Sequence, residues 1–370
     1  MFNIEEILKK AKEAGASDVH LTVGIPPRMR VNGDLLQMDG YDRVMPPDTE
    51  QIASEIMTET QKAKLDEKGE YDMSFSIRDL GRYRLNVFHQ RGSIAMAFRL
   101  VGTQVPTPEQ LGIPSSIVEL SQRKRGLVLV TGPTGSGKST TLYAALGELS
   151  KPNVNVVTVE DPVEKNMDGV NQCQVNVKSG MTFSAALRSI LRQDPDIVMI
   201  GEMRDSETAD IAIRAAITGH LVLSTLHTND AASTIVRLVD MGVAPYMVAT
   251  SLIGVVAQRL VKVLCPRCKK PRMSNEEDNQ LMHLSSSVQI YDAVGCPECN
   301  NTGYKGRTAI HEIIHCSSGI STLIAESAGK EQLENAAKKN GTKLLRDNVS
   351  ELVQQGRTSI DELVRVTYSV

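Results

Sequence analysis

The sequence predicts a small mixed α+β unit followed by a larger α/β unit built on a parallel sheet. Three observations point there. The N-terminal part alternates apolar and polar residues in short runs, as half-buried antiparallel strands do. Beyond Arg125 the strand-like runs become wholly apolar and alternate with helical segments, the pattern of strands covered on both faces. Between the two, Val105 to Pro114 holds three prolines in ten residues, which suits a semi-rigid connection and neither a sheet nor a helix. The expected organisation is therefore residues 1–104, a linker at 105–114, and residues 115–370.

The elements follow in order. Ile4, Ile7, Leu8 and Ala11 share one face of an N-terminal helix, and the charges among them argue against a signal peptide. Asp18 to Val23 alternates like a strand, and Met29 to Val31 with Asp34 to Met38 reads as a hairpin around Asn32-Gly33. A helical stretch near Thr49 to Leu65 precedes three strands, Tyr71 to Ile77, Tyr83 to His89 and Ile94 to Leu100. Turns at Asp79-Leu80-Gly81 and Arg91-Gly92 separate them. The apolar strands of the second part are Leu127 to Val130, Val154 to Val159, Ile197 to Ile200 and Leu221 to Thr225. Gly319 to Val370 reads as helices.

Composition narrows the function. The 370 residues carry 41 Lys+Arg against 44 Asp+Glu, a net charge of −3, so no whole-chain positive field drives nucleic-acid binding and no such partner is expected. A local basic patch stays open. With 4% aromatics and no Trp, a base-stacking platform is not expected either. The longest apolar run, Ser251 to Leu264, is interrupted by Gln258, Arg259 and Lys262 and is too short to span a bilayer. A cytosolic protein, or one peripheral on the cytosolic face of a membrane, is expected. Its 6 Cys are then thiols or metal ligands.

Gly132-Pro133-Thr134-Gly135-Ser136-Gly137-Lys138-Ser139 fits the P-loop pattern and lies between an apolar strand and a helical segment. Its glycines let backbone N–H groups curl around phosphate oxygens, Lys138 brings a charge to the β/γ-phosphates, and Ser139 offers a hydroxyl to Mg²⁺. A nucleoside triphosphate is the expected ligand. Thr158 to Glu164 places Glu160, Asp161 and Glu164 at the end of a buried strand, and Ile197 to Glu202 ends another in an acid. Strand ends converge on the P-loop in a parallel sheet, so these acids are candidates to hold Mg²⁺ through water and to orient or deprotonate the attacking water. Taken singly, each also reads as a helix cap or a solvated loop residue. His220 and His227 bracket Leu221 to Thr225, either as γ-phosphate sensors or as structural residues.

Cys265-Pro266-Arg267-Cys268 and Cys296-Pro297-Glu298-Cys299 form two knuckles around a polar 27-residue insertion. Four thiolates on two tight turns match a closed, structural Zn²⁺ site spanning 265–299, with unligated or redox-active thiols as the other reading. Cys173 and Cys316 read as small buried hydrophobes.

Together, GPTGSGKS at Gly132 to Ser139, TVEDPVE at Thr158 to Glu164, DPDIVMIGEMRD at Asp194 to Asp205 and TGHLVLSTLHTND at Thr218 to Asp230 resemble the hexameric ATPases of type II secretion and type IV pilus machines. The resemblance spans nearly the whole chain. It implies a PAS-like N-terminal domain, a RecA-like ATPase domain, and a homohexamer that binds ATP between domains. Carried over by position, Lys138, Ser139 and the neighbouring Thr140 would hold phosphate and Mg²⁺. Glu164 would be the catalytic carboxylate, Glu160 and Asp161 its companions, Glu202 the Walker B acid, and His220 and His227 the His box. Arg82, Arg84, Arg91 and Arg99 occupy the region of the family's arginine fingers; Arg84 and Arg99 are taken as nucleotide-facing. Residues ASDVHLTVGIPPRMRVNGDLL resemble retraction ATPases of the PilT type, whereas the core from Val156, the HTND sequence and the four cysteines resemble assembly and secretion ATPases of the PilB and GspE type. The implied partner is an inner-membrane platform protein of the PilC or GspF type, with a lean toward assembly. A nucleic-acid motor and a nucleotide-switched binding module are the rival classes.

Overall fold

The computed structural model describes residues 2–31, 34–77, 80–101 and 105–368. The expected Asn32-Gly33 turn and Asp79 therefore lie outside the described residues. The chain divides into two compact units, Met1–Gln104 with Glu164–Asn166, and Val105–Val163 with Met167–Val370.

The first unit is a six-stranded antiparallel sheet with helices. Its strands are β1 (Asp18–Leu21), β2 (Arg28–Val31), β3 (Asp34–Gln37), β4 (Glu70–Ile77), β5 (Gly81–Gln90) and β6 (Ser93–Val101). Their order is β3-β2-β1-β6-β5-β4. The helix Ile4–Glu13 starts where Asn3 Oδ1 accepts from the Glu5 N–H at 2.9 Å, and it buries Ile4, Ile7, Leu8 and Ala11. The helical stretch expected near Thr49 to Leu65 is divided into two helices, Pro46–Ile56 and Glu59–Lys68. Thr58 breaks it because its extended backbone opens a reciprocal capping box with Gln61.

The linker expectation needs a correction, since Pro108–Leu111 is a short helix. Proline is tolerated at the first helical position, Thr107 and Gln110 cap that end reciprocally, and Gly112 stops the turn at φ 66°.

The second unit holds a seven-stranded sheet ordered β15-β12-β7-β11-β10-β8-β9. Its strands are β7 (Gly126–Thr131), β8 (Val156–Glu160), β9 (Val170–Gln174), β10 (Ile197–Ile200), β11 (Leu221–Leu226), β12 (Leu252–Leu264) and β15 (Tyr304–His315); β13 (Lys270–Met273) and β14 (Gln289–Asp292) form a separate ribbon. All neighbours in the large sheet pair parallel except β12 and β15. The apolar runs are explained by cores on both faces. Leu127, Leu129, Val157, Val159, Val198 and Ile200 pack on one side; Val128, Val130, Val156, Ile197 and Met199 pack on the other.

The long β12–β15 pair was not foreseen, and neither was structure inside the polar insertion. That insertion folds as β13, the helix Glu276–Met282 and β14, burying Met282 and Ile290 in the main core. Four C-terminal helices follow β15: Ser318–Ala325, Lys330–Lys339, Leu345–Gln354 and Ile360–Tyr368. Glu312 on β15 ties this part down by accepting from the N–H groups of Ala231 (2.9 Å) and Leu345 (3.2 Å), the first residues of two helices.

Candidate functional site

The P-loop connects the end of β7 to the helix Lys138–Leu149. Gly132, Gly135 and Gly137 have φ of 149°, 81° and 87°, a region that side chains disfavour. Close packing also demands glycine: a Cβ on Gly132 would stand 2.5 Å from the Gln258 carbonyl oxygen, and one on Gly137 would stand 2.9 Å from Gln258 Nε2. Thr134 and Ser139 are exposed, Thr140 is half-buried, and the Ser136 hydroxyl is buried with no protein partner, as a cradle for phosphate requires.

Lys138 is only 8% exposed, and its Nζ donates to the carbonyls of Gly132 (2.7 Å) and Pro133 (3.0 Å). Burial lowers its pKa, the nearby Glu202 carboxylate works in the opposite sense, and Arg259 adds to the lowering. Glu202, which follows the end of a parallel strand, is thus close enough for its charge to act on the P-loop lysine. Glu202 is held by Arg204 on one oxygen and by His227 Nε2 on the other, at 3.0 Å. Hydroxyls join the end of β7 to the loop and helix after β11: the Thr228 N–H donates to Thr131 Oγ1 at 3.0 Å, and Thr228 Oγ1 lies 2.5 Å from Thr234 Oγ1 in the helix Ala231–Asp240.

Other expected residues are placed differently. His220 is not brought to this end of the sheet. β11 runs in register with β7 from Leu221↔Gly126 to Leu226↔Thr131, and the Gly126 N–H donates to the His220 carbonyl at 3.0 Å. The side chain therefore lies at the opposite edge from Gly132, and its Nδ1 is 3.0 Å from the Ala215 carbonyl oxygen. Glu160 is buried at the end of β8 and bonded to Tyr143, to Thr158 Oγ1 at 2.5 Å and to Gln172 Nε2 at 3.2 Å. Asp161 is exposed beyond it. Glu164 belongs to the segment grouped with the first unit. In that unit Arg84 pairs with Asp72 at 2.8 Å and Arg99 with Asp18 at 3.0 Å; Arg82 donates to Ser74 Oγ at 3.1 Å, and Arg91 sits in a turn at φ 52°.

Sequence reasoning missed Gln258 and Arg259, noticing them only as interruptions of an apolar run. Gln258 Nε2 donates to the Ser136 carbonyl at 2.8 Å, and Arg259 Nη2 donates to the Asn229 carbonyl at 2.7 Å. The signal was available: two polar residues inside an otherwise buried strand are costly without partners.

The four cysteines meet at the β12–β15 connection. Their sulfurs all lie within 4.8 Å of one another, with 3.9 Å between Cys265 and Cys296, 3.8 Å between Cys268 and Cys299, and 3.7 Å between Cys296 and Cys299. A tetrahedron with Zn–S of about 2.3 Å has edges of about 3.8 Å, so the donor set fits zinc. Burial pushes the Cys299 thiol up, but the N–H groups of Cys296 and Gly303 together with hydrogen bonds from the Cys296 and Cys268 side chains bring it down to about 6. Cys173 and Cys316 pack half-buried against the main core.

A phosphate cradle at the carboxyl edge of a parallel sheet, faced by an acid, defines the class of P-loop nucleotide-binding proteins. Within that class the family described as type II/IV secretion system protein matches residues 2–365, and the chain belongs to this family of secretion and pilus ATPases. It is 41% identical to the type II secretion system ATPase E of Vibrio cholerae, over 98% of this chain and 74% of that protein. It is 47% identical to the type IV pilus assembly ATPase TfpB of Acinetobacter baylyi, over 70% of this chain and 46% of that one. The crystal structure of the pilus retraction motor PilT with bound ADP superposes with a TM-score of 0.79 at 34% identity, covering 99% of this chain and 97% of that one. Among the described residues no helix is long and apolar enough to cross a membrane.

Proposed function

We propose that this chain is the ATP-hydrolysing subunit of a homohexameric motor that drives pilin or pseudopilin assembly from the cytosolic face of an inner membrane. It works there against a platform protein of the PilC or GspF type. The observation that carries the reading is the buried Lys138, held by P-loop carbonyls beside Glu202.

In this reading the second unit is a RecA-like motor domain and the first a PAS-like domain joined to it by residues 105–114. Lys138 turns from the carbonyls of Gly132 and Pro133 to the β/γ-phosphates, where its charge offsets the negative charge that develops on transfer. Ser139, with Glu202 through water, would hold Mg²⁺, which neutralises phosphate charge. Glu164 orients water for attack on the γ-phosphorus, giving ADP and inorganic phosphate, and Arg84 or Arg99 supplies a further cation. The four cysteines hold a structural zinc that closes the β12–β15 connection.

Similarity to the secretion ATPase and the pilus assembly ATPase supports assembly. The end-to-end superposition on PilT favours retraction as the second reading. Steady-state ATP hydrolysis tests the common core: Lys138→Ala abolishes turnover, and persistence of turnover in that variant overturns the site.

A further inference from the structure

We propose that Gln258 is a positioning residue of the P-loop, which sets the direction of its phosphate-binding backbone from the neighbouring strand. The inference rests on the ATPase reading of that loop.

Gln258 is 1% exposed on β12, and both ends of its amide are used on the loop or its helix. Nε2 donates to the Ser136 carbonyl at 2.8 Å, and Oε1 accepts from Thr141 Oγ1 at 2.8 Å. A carbonyl oxygen can only accept, so the amide orientation is fixed by chemistry. The same residue limits the loop sterically, with its carbonyl oxygen behind Gly132 and its Nε2 behind Gly137.

The consequence follows from peptide geometry. In a trans peptide the C=O and the N–H point in opposite directions. Among the described residues the cis bond is at Asp161-Pro162, so the Ser136–Gly137 peptide is trans. Drawing the Ser136 carbonyl toward Gln258 turns the Gly137 N–H the other way, just ahead of Lys138. Freed from this hold, the peptide can rotate and lose a phosphate donor, while Lys138, Glu202 and the sheet stay in place. Gln258 therefore governs how well the loop receives phosphate and contributes little to the later steps.

The full chain is assayed as Gln258→Met, which keeps side-chain length without either hydrogen bond, and as Thr141→Val, which removes only the hydroxyl that orients the amide. Turnover is measured across ATP concentrations, ADP affinity by calorimetry, and unfolding by circular dichroism without nucleotide. Gln258→Met raises the KM for ATP and the Kd for ADP about tenfold, while kcat falls less than about threefold; Thr141→Val shifts both constants the same way by about threefold. Binding constants within about twofold of the parent in Gln258→Met, or a loss confined to kcat, overturn the proposal. Should Gln258→Met fail to fold, Thr141→Val decides alone, and unchanged constants there overturn it. Failure of the ATPase reading looks different: the parent chain then does not hydrolyse ATP, or Lys138→Ala hydrolyses it equally well.

Discussion

His227 Nε2, on the loop that leaves β11, lies 3.0 Å from Oε2 of Glu202, the acid two residues beyond β10. With Arg204 on the other oxygen, Glu202 is held in one orientation at 15% side-chain exposure, and its charge reaches Lys138. A carboxylate fixed this way can present a stable face to a metal-bound water.

Glu202→Gln should therefore lower kcat about 100-fold and change nucleotide affinity far less. His227→Ala, which releases one oxygen of Glu202, should cost about tenfold in kcat. His220→Ala should lower kcat less than His227→Ala does, because its side chain sits at the other end of β11. Single-turnover hydrolysis and equilibrium binding separate these effects, and the reverse ranking of the histidines would remove His227 from the site.

The cysteine cluster predicts one zinc per chain. Its sulfur spacing suits the metal, and the knuckles join strands β12 and β15, which bound one edge of the motor sheet. Elemental analysis of protein purified without chelator should give a stoichiometry near one. Chelation under mild denaturant should lower the melting temperature and release thiols to a colorimetric reagent. Far less than one zinc per chain would assign the thiols another role.

How much of this was legible depends on where the information sits. Local patterns carried the helix at Ile4–Glu13, strands β7, β10 and β11, and the glycine loop, since their signals lie within a few consecutive residues. The strands β12 and β15 were harder. β12 carries the buried Gln258 and Arg259 inside an apolar run, and their partners lie on other elements: Ser136 and Asn229. A polar residue in a buried strand signals that a partner exists, but only the fold shows which one. The same limit applies to Glu160, expected among the carboxylates of the site beside Asp161: its partners Tyr143, Thr158 and Gln172 emerge only from the fold.

Acid sensitivity should come partly from His311. Burial pushes its pKa down from 6.5 to about 4, so the folded chain binds this proton less readily than the unfolded one. The neutral ring's contribution to stability is fully present above pH 6.5 and is lost as pH falls toward and through about 4. A shift of that size corresponds to about 3 kcal/mol. Urea unfolding between pH 7 and pH 4 should show this slope in the parent chain and a shallower one in His311→Leu. Equal slopes would place the acid sensitivity elsewhere.

Glu160 and Glu164 should separate cleanly when each is changed to glutamine. A group that takes a proton from the attacking water must present an oxygen to it. Glu160 has Tyr143 on one oxygen and Thr158 with Gln172 on the other, inside a 3% exposed side chain. Glu160→Gln replaces an acceptor by a donor facing one of these partners, and should cost about 1–3 kcal/mol of stability while folded protein keeps most of its turnover. Glu164→Gln should leave the melting curve close to that of the parent, retain ATP binding and lose hydrolysis. Thermal unfolding paired with single-turnover assays reads both. If Glu160→Gln loses chemistry without losing stability, the buried carboxylate acts in hydrolysis and Glu164 gives up the role.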